Sequence, residues 1–335
     1  MCCLKAWVAA SPGELFFSRL CEIFMNRIAI VFPGQGSQSV GMLDAWADDT
    51  VVQNTLAEAS ASLGQDLAAL IHAGPAETLN LTTNTQPVML ATGVAIYRAW
   101  QVAGGPAPVV MAGHSLGEYA ALVAAGVLTL ADASRLVRVR ADAMQSAVPV
   151  GQGGMAAILG LTDDQVRQAC QAASHPGEPV EAVNFNAPAQ VVIAGAKVAV
   201  ERACEQAKAL GAKRAVPLPV SAPFHSSLME PASVVLRQAL DAVALSAPKL
   251  PVINNVDVAV LDQPEAIRDA LVRQAWHPVR WVETIQRLPE FGVTHVIECG
   301  PGKVLTGLVK RIVPDLSAHC VADPASLQAA LDALA

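Results

Sequence analysis

The sequence predicts an α/β protein with a parallel sheet and a second, smaller unit inserted into it, and three observations carry that reading. First, short β-branched apolar runs stop at glycine or proline: "IAIVF" at 28–32 before Pro33-Gly34, and "PVVMA" at 108–112 before Gly113. Unbroken apolar runs of this length suit strands buried on both faces. Second, helical periodicity fills the chain between them, around 51–63 and from 87 to 101, so strand and helix alternate as an α/β fold requires. Third, the stretch 153–220 breaks that alternation.

That stretch reads element by element. "GMAAILG" is a strand, and "TDDQVRQACQAAS" a helix opened by Thr162 with acids in its first turn. "VEAVNFN" and "QVVIAG" are two strands separated by Ala187-Pro188-Ala189. "KVAVERACEQAKAL" is a helix ended by Gly211, and "KRAVPLPV" is the last strand. The order β-α-β-β-α-β is the split βαβ, or ferredoxin-like, unit. Being complete, it predicts a small domain at 151–222, inserted between 25–150 and 223–335 of the larger one. Further strands are expected at 251–255 and 294–299, followed by "GPGKVLTGLVKRI". Residues 1–24 are expected to be an appended or misassigned leader, because "MNRIAIVFPGQG" from Met25 looks like a natural start.

Composition narrows the function. Apolar residues are 53% of the 335 and charged residues 15%, which permits a large dry core. Net charge is −7, with no basic tract to attract nucleic acid. Seven cysteines, with no C-x-x-C pair, suit a reducing cytosol and neither a disulfide framework nor a zinc site. With no apolar stretch of membrane-spanning length and no convincing signal peptide, the expectation is a soluble, cytoplasmic protein that binds neither membrane nor metal. Phosphate loops fail as well: Gly302-Lys303 is followed by Val304, and neither "GQGSQ" nor "GQGGMA" completes G-x-G-x-x-G.

Chemistry points to "GHSLGEYAAL" at 113–122, where Ser115 lies between Gly113 and Gly117 in the pattern G-x-S-x-G, with a strand before and a helix after. A nucleophile elbow is one reading, and the cap of an ordinary helix the other. A serine needs a base. His225 in "PFHSSLM", just beyond the last strand of the inserted unit, is preferred narrowly to His277, His295 and His319, and adjacent His114 would point elsewhere. Arg140 falls on the apolar stripe of the 130–148 helix, among Leu136, Val137, Ala143 and Met144. A buried guanidinium needs a partner: either a remote Asp or Glu, or the carboxylate of an arriving substrate held in a bidentate fork. Oxyanion donors would be the backbone N–H of Leu116 and one from the "PGQGSQ" loop, with Gln35 the candidate and a plain Pro-Gly turn the alternative.

Taken together, "FPGQGSQ", "NTQPVML", "GHSLGEYAAL", "VNFNAPAQVVIAG", "PFHSSLM", "LVRQAWHPVRW" and "GPGKVLTGLVKRI" resemble the malonyl-CoA:acyl carrier protein transacylases, in order from about Met25 to Arg311. The resemblance implies an α/β-hydrolase-like large domain with a ferredoxin-like small one, and ping-pong transfer of malonyl to a carrier-bound phosphopantetheine thiol for fatty acid synthesis. It implies Ser115 as nucleophile, His225 as base, Gln35 and Leu116 as the oxyanion hole, and Arg140 as the grip on the malonyl carboxylate. Gln274 would orient His225 through its backbone carbonyl, and Phe224 looks like the malonyl-selective form of its motif. Malonyl-CoA and acyl carrier protein would be the partners of a monomeric enzyme that needs no cofactor. Lys213, Arg214, Lys303, Lys310 and Arg311 are candidates, from charge alone, for docking an acidic carrier. A transferase serving a polyketide or malonate decarboxylase system, a serine thioesterase or hydrolase, and a catalytically dead docking subunit remain the alternatives.

Overall fold

The computed structural model describes residues 26–335, so the expected leader at 1–24 lies outside the described residues. The elements, in chain order, are β1 (Ile28–Phe32), α1 (Thr50–Leu63), α2 (Leu67–Ala73), α3 (Ala76–Leu79), α4 (Thr82–Val102), β2 (Val110–Gly113), α5 (Gly117–Ala124) and α6 (Leu130–Ser146). Next come β3 (Gly153–Leu159), α7 (Asp163–Ala173), β4 (Val180–Ala187), β5 (Gln190–Ala196), α8 (Lys197–Ala209) and β6 (Arg214–Pro217). The chain continues through α9 (Glu230–Asp241), β7 (Val252–Ile253), α10 (Pro264–Gln274), α11 (Trp281–Gln286), β8 (His295–Cys299), α12 (Val304–Ile312), β9 (Ser317–Val321) and α13 (Pro324–Asp332). No helix among the described residues is long and apolar enough to cross a membrane.

Two sheets organise these elements. The first is parallel throughout, in the order β7-β2-β1-β8-β9. Its central strand β1 has every residue buried, and its side chains divide by strand alternation. Ile28, Ile30 and Phe32 join the core formed with α4, α5 and α6, whereas Ala29 and Val31 join the opposite core with Trp281, Leu308 and Val309. Helices therefore cover both faces, which is why the strand reads as an unbroken apolar run.

The second sheet is antiparallel, in the order β4-β5-β3-β6. One face is closed by α7 and α8 through Val166, Ala169, Cys170 and Ala203. The other carries Met155, Val183, Val192 and Ala194 toward Phe224. Thr162 caps α7 in a reciprocal capping box with Gln165, as its sequence position suggests. The last strand is shorter than expected: β6 stops at Pro217, with one further backbone bond to β3 from Leu218 N to Met155 O (2.9 Å). As an edge strand it tolerates prolines whose nitrogens face away from β3. Backbone bonds from Phe185 N to Val279 O (3.0 Å) and Val279 N to Val183 O (2.8 Å) join β4 to the segment after α10.

Close packing where β2 turns into α5 admits no side chain. A Cβ on Gly117 would lie 2.1 Å from the carbonyl oxygen of Phe32, whereas one on Gly307, within α12, would meet nothing within 4 Å. Gly117→Ala is therefore expected to cost about 3 kcal/mol or more of stability, and Gly307→Ala to be neutral or stabilising by up to about 1 kcal/mol. Thermal and denaturant unfolding of the two variants beside the unsubstituted protein measure the difference.

Candidate active site

Ser115 sits on the turn between β2 and α5 with φ at 52°, in the left-handed region that serine seldom enters. Such a conformation costs on the order of 1–3 kcal/mol and persists only where its surroundings dictate it. Those surroundings are specific. A Cβ on Gly113 would fall 1.9 Å from the carbonyl carbon of Gly117, so the two ends of the turn must touch without side chains. His114 N–H donates to Phe32 O (3.0 Å), tying the turn to β1. Ser115 N–H donates to the side-chain oxygen of Asn255 (2.7 Å), whose Nδ2 returns a bond to Gly113 O (2.7 Å).

His225 follows β6, is buried, and also has positive φ, at 66°. Its Nε2 lies 2.7 Å from Ser115 Oγ, and its Nδ1 lies 2.9 Å from the backbone oxygen of Gln274 at the end of α10. A carbonyl oxygen only accepts, so Nδ1 carries the proton and Nε2 presents its lone pair to the serine hydroxyl. Burial lowers the imidazole pKa to about 3, with the nearby Arg140 cation pushing the same way and the Gln274 carbonyl opposing. The ring is therefore neutral at physiological pH and able to accept a proton.

Arg140 projects from α6 into the same space and is 2% exposed. Its Nη2 donates to Ser115 Oγ (3.1 Å) and to Gln274 Oε1 (3.0 Å), and its Nη1 donates to Gln86 Oε1 (2.8 Å). The Nε has no hydrogen-bond partner, and no carboxylate among the described residues lies within ion-pair distance of the guanidinium. Because Arg140 occupies an acceptor position on Ser115 Oγ, the hydroxyl proton is left to point at His225.

Three further sequence-derived residues lie in the segments next to this centre. Leu116 is buried immediately after Ser115, and Gln35 lies in the exposed loop after β1, where a Cβ on neighbouring Gly34 would come within 2.7 Å of His114 O. Among the described residues, neither the Gln35 nor the Leu116 amide has an intramolecular acceptor. Phe224 is half-buried beside His225. The other histidines are held elsewhere. His114 Nε2 meets Asn186 Oδ1 (2.8 Å), His277 Nδ1 meets Arg273 O (3.0 Å), and His295 stacks on His319. Of the basic candidates, Lys213 and Arg214 adjoin Leu159 and Gly160, whose N–H donates to Ala189 O (2.9 Å), and Arg311 donates to Pro188 O (3.1 Å). These three gather around the turn between β4 and β5.

Sequence reasoning missed three buried polar residues. Gln86 braces Arg140, Asn255 braces the Ser115 backbone, and Glu118 accepts from Asn255 N–H and Gln274 Nε2, both at 2.9 Å. Burial raises the Glu118 carboxyl to about 7 against the bonds it accepts. Local pattern gave no signal for them: Gln86, for one, closes the polar run "TTNTQ" at 82–86.

A strained, glycine-flanked serine hydrogen-bonded to an uncharged histidine is chemistry for acyl transfer, and residues 29–326 match the acyl transferase domain family. A malonyl CoA-acyl carrier protein transacylase of Escherichia coli (strain K12) is 56% identical over 309 residues, 92% of this chain and all of that one. An acyl-carrier-protein S-malonyltransferase from Burkholderia pseudomallei 1710b has a solved structure with 66% identity and a TM-score of 0.89, covering 91% of this chain and 99% of that one. A malonyl-transacylase solved in complex with its type II PKS acyl-carrier protein is 54% identical, with a TM-score of 0.90 over 92% of this chain and 99% of that one. The chain belongs to the acyl transferase family and, within it, to the malonyl CoA-acyl carrier protein transacylases.

A depressed histidine pKa keeps the base form in place as pH falls. Labelling of Ser115 by a serine-directed sulfonyl fluoride should keep more than half of its rate between pH 7.5 and 5.5. A base with the ordinary histidine pKa would fall to about a tenth at the lower pH.

Proposed function

We propose that this chain transfers the malonyl group of malonyl-CoA to the phosphopantetheine thiol of acyl carrier protein, through a malonyl ester on Ser115, and so supplies fatty acid synthesis. The observation that carries the reading is Arg140, a buried cation beside the nucleophile whose partners are all neutral. A malonyl group has a free carboxylate that such a fork would pair in bidentate fashion; an acetyl group would leave the desolvated cation unpaired.

In the first half-reaction, His225 Nε2 removes the Ser115 proton as Oγ attacks the thioester carbonyl. The Gln35 and Leu116 N–H groups receive the oxyanion, since both lack other acceptors. Collapse expels the coenzyme A thiolate, which takes the proton from His225. The carrier thiol then enters, loses its proton to His225 and attacks the serine ester, and the serine leaves with that proton. Gln274 holds the imidazole tautomer through its carbonyl. Phe224 restricts room at the malonyl α-carbon. Carbon oxidation states do not change, so the reaction calls for no redox cofactor, and the residues named supply both proton transfer and carbonyl polarisation.

The fold is read at finer grain in the same way. Residues 25–150 and 223–335 form an α/β-hydrolase-like domain, a reading supported by the parallel sheet and the elbow between β2 and α5. Residues 151–222 form a ferredoxin-like insertion, supported by the βαββαβ order and the strand arrangement β4-β5-β3-β6. A cytoplasmic setting accords with free thiols at Cys170, Cys204, Cys299 and Cys320. A second reading, in which the carrier belongs to a polyketide system, is favoured by the solved relative bound to a type II PKS carrier. Its chemistry is the same, and malonyl transfer assayed with each carrier in turn decides between them.

Intact-protein mass spectrometry after mixing with malonyl-CoA tests the chemistry. The wild type should gain one malonyl group and Ser115→Ala none. Arg140→Ala should lose about 100-fold or more in malonyl acylation, with acetyl acylation much less affected. Release of free malonate without transfer to any carrier would favour a hydrolase; no adduct with intact thioester would favour a docking subunit. Reversing Lys213, Arg214 and Arg311 to glutamate should slow transfer to carrier protein while leaving acylation by malonyl-CoA within about twofold, the local field being screened beyond roughly 10 Å.

A further inference from the structure

Beneath the nucleophile lies a carboxyl group that the proposed mechanism does not use. Glu118 is 2% exposed, on the first turn of α5. Its Oε2 accepts from the backbone N–H of Asn255 and from the side-chain Nε2 of Gln274, each at 2.9 Å. Both partners hold the reacting pair. Asn255 Oδ1 accepts Ser115 N–H, and its Nδ2 donates to Gly113 O. Gln274 Nε2 donates to Ser115 O (2.9 Å), its Oε1 accepts from Arg140, and its backbone oxygen accepts from His225.

The amide of Gln274 has two possible orientations, and its surroundings choose one. Its nitrogen faces two groups that accept, the Ser115 carbonyl and the Glu118 carboxyl, so its oxygen must face the Arg140 guanidinium. Without the Glu118 acceptor one amide hydrogen is unsatisfied in a buried site and the flipped orientation competes, turning a donor toward the Arg140 cation. The Asn255 N–H is orphaned at the same time, loosening the segment that fixes the strained Ser115 backbone. Unpartnered buried donors of this kind are costly, so the site relaxes away from its working geometry.

We propose that Glu118 is a positioning residue of the acyl-transfer reaction: its carboxyl oxygen fixes the Gln274 amide and the Asn255 backbone, and through them the alignment of Ser115, His225 and Arg140. The inference rests on the malonyl-transfer reading and adds to it a group that touches neither substrate nor His225. Among the described residues no acid is hydrogen-bonded to the histidine; the Glu118 carboxyl acts one residue removed, by orienting the residue whose carbonyl is. The requirement is for an acceptor oxygen at the correct reach, not for a negative charge. Glu118→Gln keeps the reach and loses the charge, Glu118→Asp keeps the charge and loses the reach, and Glu118→Met loses both.

Single-turnover acylation by malonyl-CoA, followed by rapid quench and intact mass spectrometry, separates the saturating rate from the half-saturating concentration. Glu118→Met should lower the saturating rate by about 10- to 100-fold, as expected when a reacting group is displaced by a fraction of an ångström to about one. Its half-saturating concentration should rise less than the rate falls, because Arg140 keeps its place on α6 and its bond to Gln86 while the Ser115–His225 alignment is lost. Glu118→Gln should recover most of the lost rate and Glu118→Asp should not; this pair carries the test if the methionine variant does not fold. A folded Glu118→Met that acylates within about threefold of wild type overturns the proposal, and so does Glu118→Asp matching or exceeding Glu118→Gln. Wild-type protein that forms no malonyl adduct sinks the parent reading instead, and the positioning role with it.

Discussion

Everything in the site depends on a serine backbone forced into the left-handed region. A residue there projects its side chain away from the strand it follows and the helix it precedes, so Ser115 Oγ stands clear of both. The constraint reaches outward. Glycines at 113 and 117 are required because the turn closes on itself and on the Phe32 carbonyl with no room for a Cβ. The same closure brings the end of β2 level with the end of β1, where Phe32 pairs with Gly113 in register. The loop after β1 is thereby delivered beside the serine. Strain, register and the position of the Gln35 amide are one geometric fact seen from three sides.

The second constraint is a buried cation without an anion in contact. Arg140 is held by amide oxygens of Gln86 and Gln274 and by the serine hydroxyl, dipoles that stabilise a guanidinium without neutralising it. Its field reaches His225, where it reinforces burial in keeping the imidazole uncharged. On the malonyl-transfer reading, a carboxylate in the usual third position of a catalytic triad would sit close to this cation and compete with the substrate carboxylate for it. A backbone carbonyl from Gln274 fixes the same tautomer with a dipole in place of a charge. The absence of a triad acid and the presence of Arg140 therefore belong together.

Legibility from sequence followed the same physics. β1, β2 and the βαββαβ order were readable because each strand is an apolar run bounded by glycine, proline or a helix cap. β9, "SAHCV", was not foreseen, because an edge strand with His319 and exposed Ser317 has neither an apolar run nor clean alternation. β7 falls within the strand expected at 251–255 but spans only Val252–Ile253. Within the site, Ser115, Arg140 and the strand–turn–helix context could be argued from local pattern, since each depends on neighbours a few residues away. His225 could be chosen only narrowly, because what selects it is a contact across 110 residues of chain. Glu118, Gln86 and Asn255 lie at the far limit of such reasoning: their roles are hydrogen bonds between distant segments, and their residue types alone suit a surface equally well.

On the malonyl-transfer reading, the two buried groups explain each other's chemistry. In the free enzyme the Arg140 cation disfavours protonation of His225 and so opposes the imidazolium that must form as Ser115 loses its proton. A substrate carboxylate seated on Arg140 cancels much of that opposing field in the low-dielectric site and returns basicity to the imidazole at the moment the thioester carbonyl is in place. An acyl group with no carboxylate binds without lifting the restraint. Selectivity then arises in the rate of acylation as well as in binding, because the group that recognises the substrate also governs the base that attacks with it.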